Sequence, residues 1–400
     1  MNLEAQIAAN KTKMINDIPE GWVETTLGEV CKIKYGKDHK KLEDGNFPCY
    51  GSGGVMRNVN KILYDKPSVL IPRKGTLSNL FFINKPFWTV DTLFYTEIDE
   101  TKINPKYLFY KLKTLNLADL NVGSAVPSLT TSVLNDVILE IPKNILEQDS
   151  LVQILTSFDN KISLLQEQNK TLETMAQTIF KEWFGKYQIG DVLPEGWHVG
   201  TLKDIIKTAN TGLDAIKRAP IVDEETGIKC FRIQDASQKK YFNKWGNTIV
   251  EKKNFEKFKL MKGDILIART GNSIGVNYFV QENLNAVFNN GLIRLRTNEK
   301  SNYSVLNMII TSDRFKKHID SISYGTSTQP NMQINSLLNY EFILPPEEIQ
   351  NEFEKLYELN ITKQNNNHQQ IQTLTKTRET LLPKLMSGEL RVADALKAVE

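Results

Sequence analysis

From Leu151 onward, apolar residues recur at alternating steps of four and three: Leu155, Phe158, Ile162, Leu165, then Asn169, Leu172, Ala176, Ile179 and Trp183. This is a sustained heptad seam, and it predicts one long helix from about Gln148 to Phe184. At ~1.5 Å per residue that helix is roughly 55 Å long. Asn169 falls inside the seam, where a buried amide costs stability and fixes register or partner choice. A second helix, about Glu347 to Met386, keeps Phe353, Leu356, Ile371, Leu374, Leu381 and Leu385 but turns polar from Lys363 to Gln370. Pro383 is expected to bend or end it, and Gly185 and Gly190 mark the exit from the first helix. Outside the helices the pattern shifts to short apolar runs, each bounded by turn residues, as buried strands are.

The runs repeat. Pro19-Glu20-Gly21-Trp22 with Thr26-Leu27 returns as Pro194-Glu195-Gly196-Trp197 with Thr201-Leu202, an offset of 175. Val69-Leu70-Ile71-Pro72-Arg73-Lys74-Gly75 returns at 196 as Ile265-Leu266-Ile267-Ala268-Arg269-Thr270-Gly271. In both, a buried strand runs into a basic, Gly-containing turn. Val126-Pro127-Ser128-Leu129 is echoed by Gln329-Pro330-Asn331-Met332 at 203, and Thr171-Leu172 by Thr373-Leu374 at 202. The second copy therefore gains about 21 residues between its first two boxes, while the helical part keeps its length. Loops tolerate insertion and packed helices do not, so a fixed frame carries variable surfaces.

The predicted organisation is an N-terminal segment (1–18), a first head (19–143), a first helix (144–186), a linker (187–193), a second head (194–344), a second helix (345–388) and a tail (389–400). Two helices of matched length from duplicated units pair most simply with each other as an antiparallel coiled coil; the alternative is that each pairs with another protein. The fold class is α+β, two mixed α/β globular heads separated by these helices. Four hundred residues are too many for one core in any case.

Charge sharpens the division. The first head carries +2, the first helix and linker (144–193) −3, the second head without its last residue +6, and the rest −2. Excess positive charge lies in the heads, so a polyanion would meet the heads rather than the helices. The three cysteines, Cys31, Cys49 and Cys230, lack CxxC spacing and read as reduced, inert thiols. No apolar run approaches a bilayer span of roughly 20 residues, and no signal-length run opens the chain. The expectation is a cytoplasmic protein with no membrane partner.

The sequence shows no motif of catalytic chemistry. An exocyclic-nitrogen methyltransferase needs an Asn/Asp-Pro-Pro-aromatic element, and Pro345-Pro346 lacks both flanks. A P-loop is missing. His39, His198, His318 and His368 are scattered without HExxH or a Cys/His cluster. Glu251-Lys252-Lys253 has nuclease-like local spacing, but its charge-rich surroundings read as solvated surface. We assign no catalytic residue, no metal and no cofactor to this chain.

Base reading needs paired hydrogen bonds, Arg or Lys to guanine and Asn or Gln to adenine; phosphate contacts need only charge, hydroxyls or free N–H groups. In the first head the candidates are Lys34, Tyr35 and Lys37 around Gly36, Ser52 among Gly51, Gly53 and Gly54, and Arg73, Lys74 and Thr76 around Gly75, with Ser128, Thr130 and Thr131 as phosphate holders. In the second they are Lys217, Arg218, Arg232, Gln234, Arg269, Asn272 and Ser273, with Gln329, Asn331 and Gln333 offering amides suited to adenine. Arg73 and Arg269 recur, which suits an internal ion pair or a phosphate clamp equally. Side chains that differ between copies are the better base readers. Trp22 and Trp197 read as core.

With these features in view, the chain resembles the specificity subunit of type I restriction-modification enzymes. The resemblance rests on the duplicated Pro-Glu-Gly-Trp, the Gly-Asp-Ile-Leu-Ile-Ala-Arg-Thr-Gly run at 263–271, the turn at 126–129, and the passage from Pro142 to Gln148 into a heptad helix with Ile154-Leu155 and Phe158-Asp159. It implies that each head is a target-recognition domain reading one half of a bipartite, asymmetric site on double-stranded DNA. It also implies that two modification subunits dock on the helices, bringing S-adenosylmethionine, and that restriction subunits add ATP- and Mg-dependent translocation and cleavage. Ile349-Gln350, in place of an acidic-Gln pair, and the polar middle of the second helix depart from the family pattern. The other readings are a self-contained methyltransferase or nuclease, which would be active alone, and a coiled-coil scaffold whose heads bind proteins, which would show no sequence-selective DNA binding.

Overall fold

The computed structural model describes residues 18–121, 127–238, 240–323 and 331–392. The chain divides into two compact units, one formed by residues up to Leu164 together with Gln370 onward, the other by Leu165–Gln369.

The first unit begins on a turn in which Trp22 N–H donates to the Pro19 carbonyl (3.0 Å) and Gly21 takes φ +82°. The φ explains the Gly of the Pro-Glu-Gly-Trp box, since other residues strain there. β1 (Trp22–Thr26) follows, then a one-turn helix α1 (Leu27–Val30). Glu29 accepts from Thr26 N–H (3.1 Å), satisfying one of the helix's orphan donors, and Leu27 is fully buried. β2 (Cys31–Tyr35), β3 (Phe47–Gly51), β4 (Gly54–Val59), β5 (Ser68–Pro72), β6 (Phe81–Ile83), β7 (Trp88–Thr89) and β8 (Leu93–Ile98) build two sheets, ordered β2-β8-β5-β6 and β4-β3-β7. Helices α2 (Pro105–Thr114) and α3 (Thr131–Asn135) lead to β9 (Ile138–Pro142), antiparallel to β1, and then into helix α4 (Ile145–Phe184).

The second unit repeats this plan. Trp197 N–H donates to the Pro194 carbonyl (3.1 Å), with Gly196 at φ +81°. β10 (His198–Thr201) leads to α5 (Leu202–Ile205), where Asp204 accepts from Thr201 N–H (2.7 Å). The Thr-Leu boxes are thus a capped turn followed by a buried leucine. β11 (Ile206–Thr211), β12 (Ile221–Val222), β13 (Lys229–Phe231), α6 (Ile233–Ser237), β14 (Gly246–Thr248), α7 (Lys252–Phe258), β15 (Ile265–Ala268), β16 (Asn277–Phe279), β17 (Ala286–Phe288) and β18 (Leu292–Thr297) follow. Their sheets are ordered β11-β18-β15-β16 and β12-β14-β13-β17. Helices α8 (Tyr303–Ile310), α9 (Asp313–Ser323) and α10 (Ile334–Leu338) precede β19 (Glu341–Leu344), which pairs with β10, and helix α11 (Glu347–Ser387).

The second sheets match as well. β3 runs parallel to β7 through Cys49 and Trp88, and β13 runs parallel to β17 through Cys230 and Val287. Both thiols are free and fully buried, and burial pushes the Cys230 thiol up to about 12, so neither is a nucleophile at neutral pH.

Each unit packs its head on both long helices, which run antiparallel. In the first, Asp159 pairs with Arg378 (2.6 Å) and Glu147 with Arg391 (3.1 Å), while Leu151, Leu155 and Phe158 share a core with Leu385 and Met386. In the second, Phe180 and Phe184 pack edge-to-face against Phe353. Asn169 is buried as the heptad pattern predicts, and its Oδ1 accepts from Asn367 Nδ2 (2.8 Å). The polar stretch around Lys363–Gln370 supplies this partner, with Gln364 Nε2 donating to Asn360 Oδ1 (2.6 Å) and Asn360 Nδ2 to the Leu172 carbonyl (2.8 Å).

Pro383 does not end α11, which continues to Ser387. The missing N–H lies in the last turns, where Leu385 and Met386 are fully buried and Lys111 Nζ caps the Met386 carbonyl (2.7 Å); packing there outweighs one lost bond. Among the described residues, no helix is long and apolar enough to cross a membrane.

Candidate nucleic-acid interface

Loops converge at one end of the β2-β8-β5-β6 sheet in the first head and of the β11-β18-β15-β16 sheet in the second. In the first head, β5 ends in the Arg73–Gly75 turn, with Gly75 at φ +89°. The turn is pinned on both sides: Arg73 N–H donates to the Thr92 carbonyl (2.9 Å), and Leu129 N–H donates to the Arg73 carbonyl (2.9 Å) across a Lys74–Ser128 bridge. Lys37 joins the same end through its N–H to the Thr89 carbonyl (2.8 Å). Ser52 joins through Asn79, whose Nδ2 donates to the Ser52 carbonyl (2.7 Å). Gly51–Gly53, Asp38–Lys40 and Val90–Thr92 line a cleft of about 670 Å³ beside them.

Arg73 makes no ion pair among the described residues. Its Nη1 donates to the Asp91 carbonyl (3.1 Å), and its guanidinium lies 5.4 Å from the centre of the Tyr35 ring, itself edge-on to Phe94. The arginine is aimed by an aromatic face and a carbonyl, which leaves its charge available to a phosphate or base. Lys74 and Thr76 are exposed on the turn. Lys34 points along the sheet toward Glu97 (3.9 Å), a weak surface pair. Thr130 is the N-cap of α3, its hydroxyl accepting from Val133 N–H (3.3 Å), and Thr131 is that helix's first residue.

The second head uses the same frame with other side chains. Arg269 N–H donates to the Gly291 carbonyl (3.0 Å), and Met332 N–H to the Arg269 carbonyl (2.9 Å) across a Thr270–Asn331 bridge. Asn331 Oδ1 accepts from Arg269 Nη2 (2.9 Å) and Nε (3.3 Å). Ser273 is tied to Ser237 at the end of α6 (2.9 Å), which brings Gln234 and Arg232 toward the same turn. Arg232 and Lys240 both pair with the fully buried Asp235 (3.2 and 3.4 Å), so Arg232 also holds its own loop. Arg218 pairs with Asp214 (2.6 Å). The Lys217 amide and that guanidinium together hold the Asp214 carboxyl at about 2. Lys217, Asn272 and Gln333 are exposed. Gln329, like Val126 and Pro330, lies outside the described residues.

Several frame residues escaped the sequence boxes. Gly36 and Gly212 close β2 and β11; a Cβ on either would fall 2.1 Å from a backbone carbonyl, of Val90 and Phe288 respectively. Their offset of 176 continues the first box, a signal that box-matching by hydrophobic runs passes over. Gln148 and Gln350 are buried at the start of the long helices, with Nε2 donating to the Pro142 (2.8 Å) and Pro345 (2.9 Å) carbonyls. Asp264 of the Gly-Asp box is fully buried and takes a bidentate pair from Arg296 (2.6 and 2.8 Å), with Arg294 at 3.9 Å. The hydrogen bonds with Asp264 raise the Arg296 guanidinium further, whereas burial lowers Arg294. At the matching place the first head has neutral Ser68, bonded to the Thr96 carbonyl (2.8 Å). Among the described residues no cluster could hold a metal ion.

Comparison with known proteins agrees with this duplicated plan. The sequence pattern described as the type I restriction modification DNA specificity domain matches twice, at residues 19–174 and 194–376. The chain is 28% identical to the MjaIX type I specificity subunit of Methanocaldococcus jannaschii, over 85% of this chain and 81% of that one. It is 25% identical to the MjaVIII specificity subunit of the same organism, over 94% of each. Its fold matches the crystal structure of a type I S subunit from M. genitalium with a TM-score of 0.60 at 18% identity, covering 94% of this chain and 98% of that one. Two matched specificity domains covering most of the sequence make this chain a member of the type I restriction-modification specificity-subunit family, the recognition rather than the catalytic component of such a system.

Proposed function

We propose that the two heads read the two halves of a bipartite, asymmetric DNA site, and that the long helices set the distance between the halves and dock two modification subunits. S-adenosylmethionine, and ATP with Mg where a restriction subunit joins, would belong to those partners. The observation that carries this reading is the duplicated basic turn. Arg73 and Arg269 leave the ends of the matched strands β5 and β15, are pinned by corresponding backbone bonds, and are surrounded by different side chains. A fixed mount with changed contacts is what two unlike half-sites require, because phosphate contacts position while side chains on base edges discriminate.

Assembled with its modification subunits, the chain is expected to select one split sequence from a pool of random duplexes. It should hold that sequence about 10³-fold more tightly than a scrambled duplex at physiological salt. Equal affinity for both would contradict the proposal.

A further inference from the structure

Asn331 sits where a direct adenine reader would stand, yet its acceptor is engaged. Adenine needs both ends of an Asn amide, the oxygen to accept from N6 and the nitrogen to donate to N7. Here Oδ1 already takes two bonds from Arg269, through Nε and Nη2. That clamp uses one edge of the guanidinium, and among the described residues no acceptor engages Nη1. The end formed by Nη1 and Nη2 is therefore presented in a fixed plane, on a turn with open space around Gly271. A planar pair of donors matches the O6 and N7 acceptors of guanine in the major groove.

The first head lacks this device. Ser128 occupies the position of Asn331 and its side chain reaches one atom less far; Arg73 leans instead on Tyr35 and the Asp91 carbonyl. The position of Tyr35 is filled by Thr211 in the second head, since each residue ends its strand immediately before the matched glycine. The ring and the amide are thus alternative ways of aiming one arginine.

We infer that Arg269 reads a guanine in the half-site of the second head, and that Asn331 is the positioning residue that makes this reading stringent. This rests on the proposal that the heads read DNA. The test is base-resolved binding by the full chain assembled with its modification subunits, on duplexes carrying every substitution in both half-sites, for Arg269→Ala, Asn331→Ser and Asn331→Asp. Thermal unfolding of each variant runs alongside. Arg269→Ala should erase preference at one guanine, about a ten-fold effect, with the other half-site unchanged. Asn331→Ser should relax the same base pair several-fold, and Asn331→Asp, which keeps an acceptor for the guanidinium, should retain it. A uniform loss on all sequences with a shallower salt dependence would make Arg269 a phosphate clamp and overturn the inference. Altered preference at an adenine in the Asn331 variants would overturn it equally. Absence of any sequence preference in the wild-type assembly would instead sink the DNA-reading proposal itself.

Discussion

The carbonyls that face Gly36 and Gly212 leave no room for a side chain. Gly212→Ala is therefore expected to destabilise the second head by about 1–3 kcal/mol or more, read as a lower urea midpoint. Asp264 makes a sharper case. Removing it leaves Arg294, 3% exposed, without its charge partner, so Asp264→Ala should cost about 3–5 kcal/mol. Ser68→Ala at the matching place in the first head removes two neutral bonds, one to the Thr96 carbonyl and one from the Thr96 N–H, and should cost less, about 1–3 kcal/mol. Equal costs in urea unfolding would refute the idea that the two frames are held by different electrostatics. The sequence displayed Arg269 and Asn331 as residue types suited to DNA, but not their pairing. They lie 62 positions apart, and the bridge between Thr270 and Asn331, with the Met332 N–H on the Arg269 carbonyl, brings them together. Thr130 shows the converse: a hydroxyl among candidate phosphate holders also caps a helix, a role set by backbone geometry that spacing alone does not reveal.

Among the elements, the long helices were the most legible, because a seam repeated over many turns dominates any local preference. Helix α4 starts at Ile145, three residues before the sequence estimate, and ends at Phe184 as the pattern indicates. The polar middle of α11 interrupts the apolar seam when the helix is taken alone. Paired with α4 it supplies the amide that meets Asn169, with Asn367 completely buried. Asn169→Leu should cost about 1–3 kcal/mol, because it takes from the buried Asn367 amide its 2.8 Å acceptor and leaves only the 3.4 Å bond to Gln168 Oε1. Leucine at both 169 and 367 should recover most of that loss, giving a favourable coupling in a double-mutant cycle. Simply additive costs would show that the two amides do not act as a pair. The limit of pattern reading appears at Pro383, where an intrinsic helix breaker yields to the packing of Leu385 and Met386.

At the scale of the whole molecule, the duplication extends beyond the four boxes to both sheets of each head, down to Cys49 and Cys230 on matched parallel strands. The length difference between copies is also placed. Gly36 to Arg73 spans 37 positions and Gly212 to Arg269 spans 57, so the additional residues lie in the stretch that carries β12, β13, α6, β14 and α7, between two matched elements of the frame. Short strands such as β12 and β14 carry too few residues for a period to show, which is why the second sheet of each head is not legible in the sequence. A common mount bearing unlike surfaces leads to a target with two unlike halves. The most direct test is to map methylated bases in the genome of the host with this gene intact and with it deleted. The account predicts a split motif, its two halves different in sequence and separated by a fixed number of unspecified bases, that vanishes on deletion. A methylation pattern that survives deletion, or a lost motif that is continuous or palindromic, would contradict it.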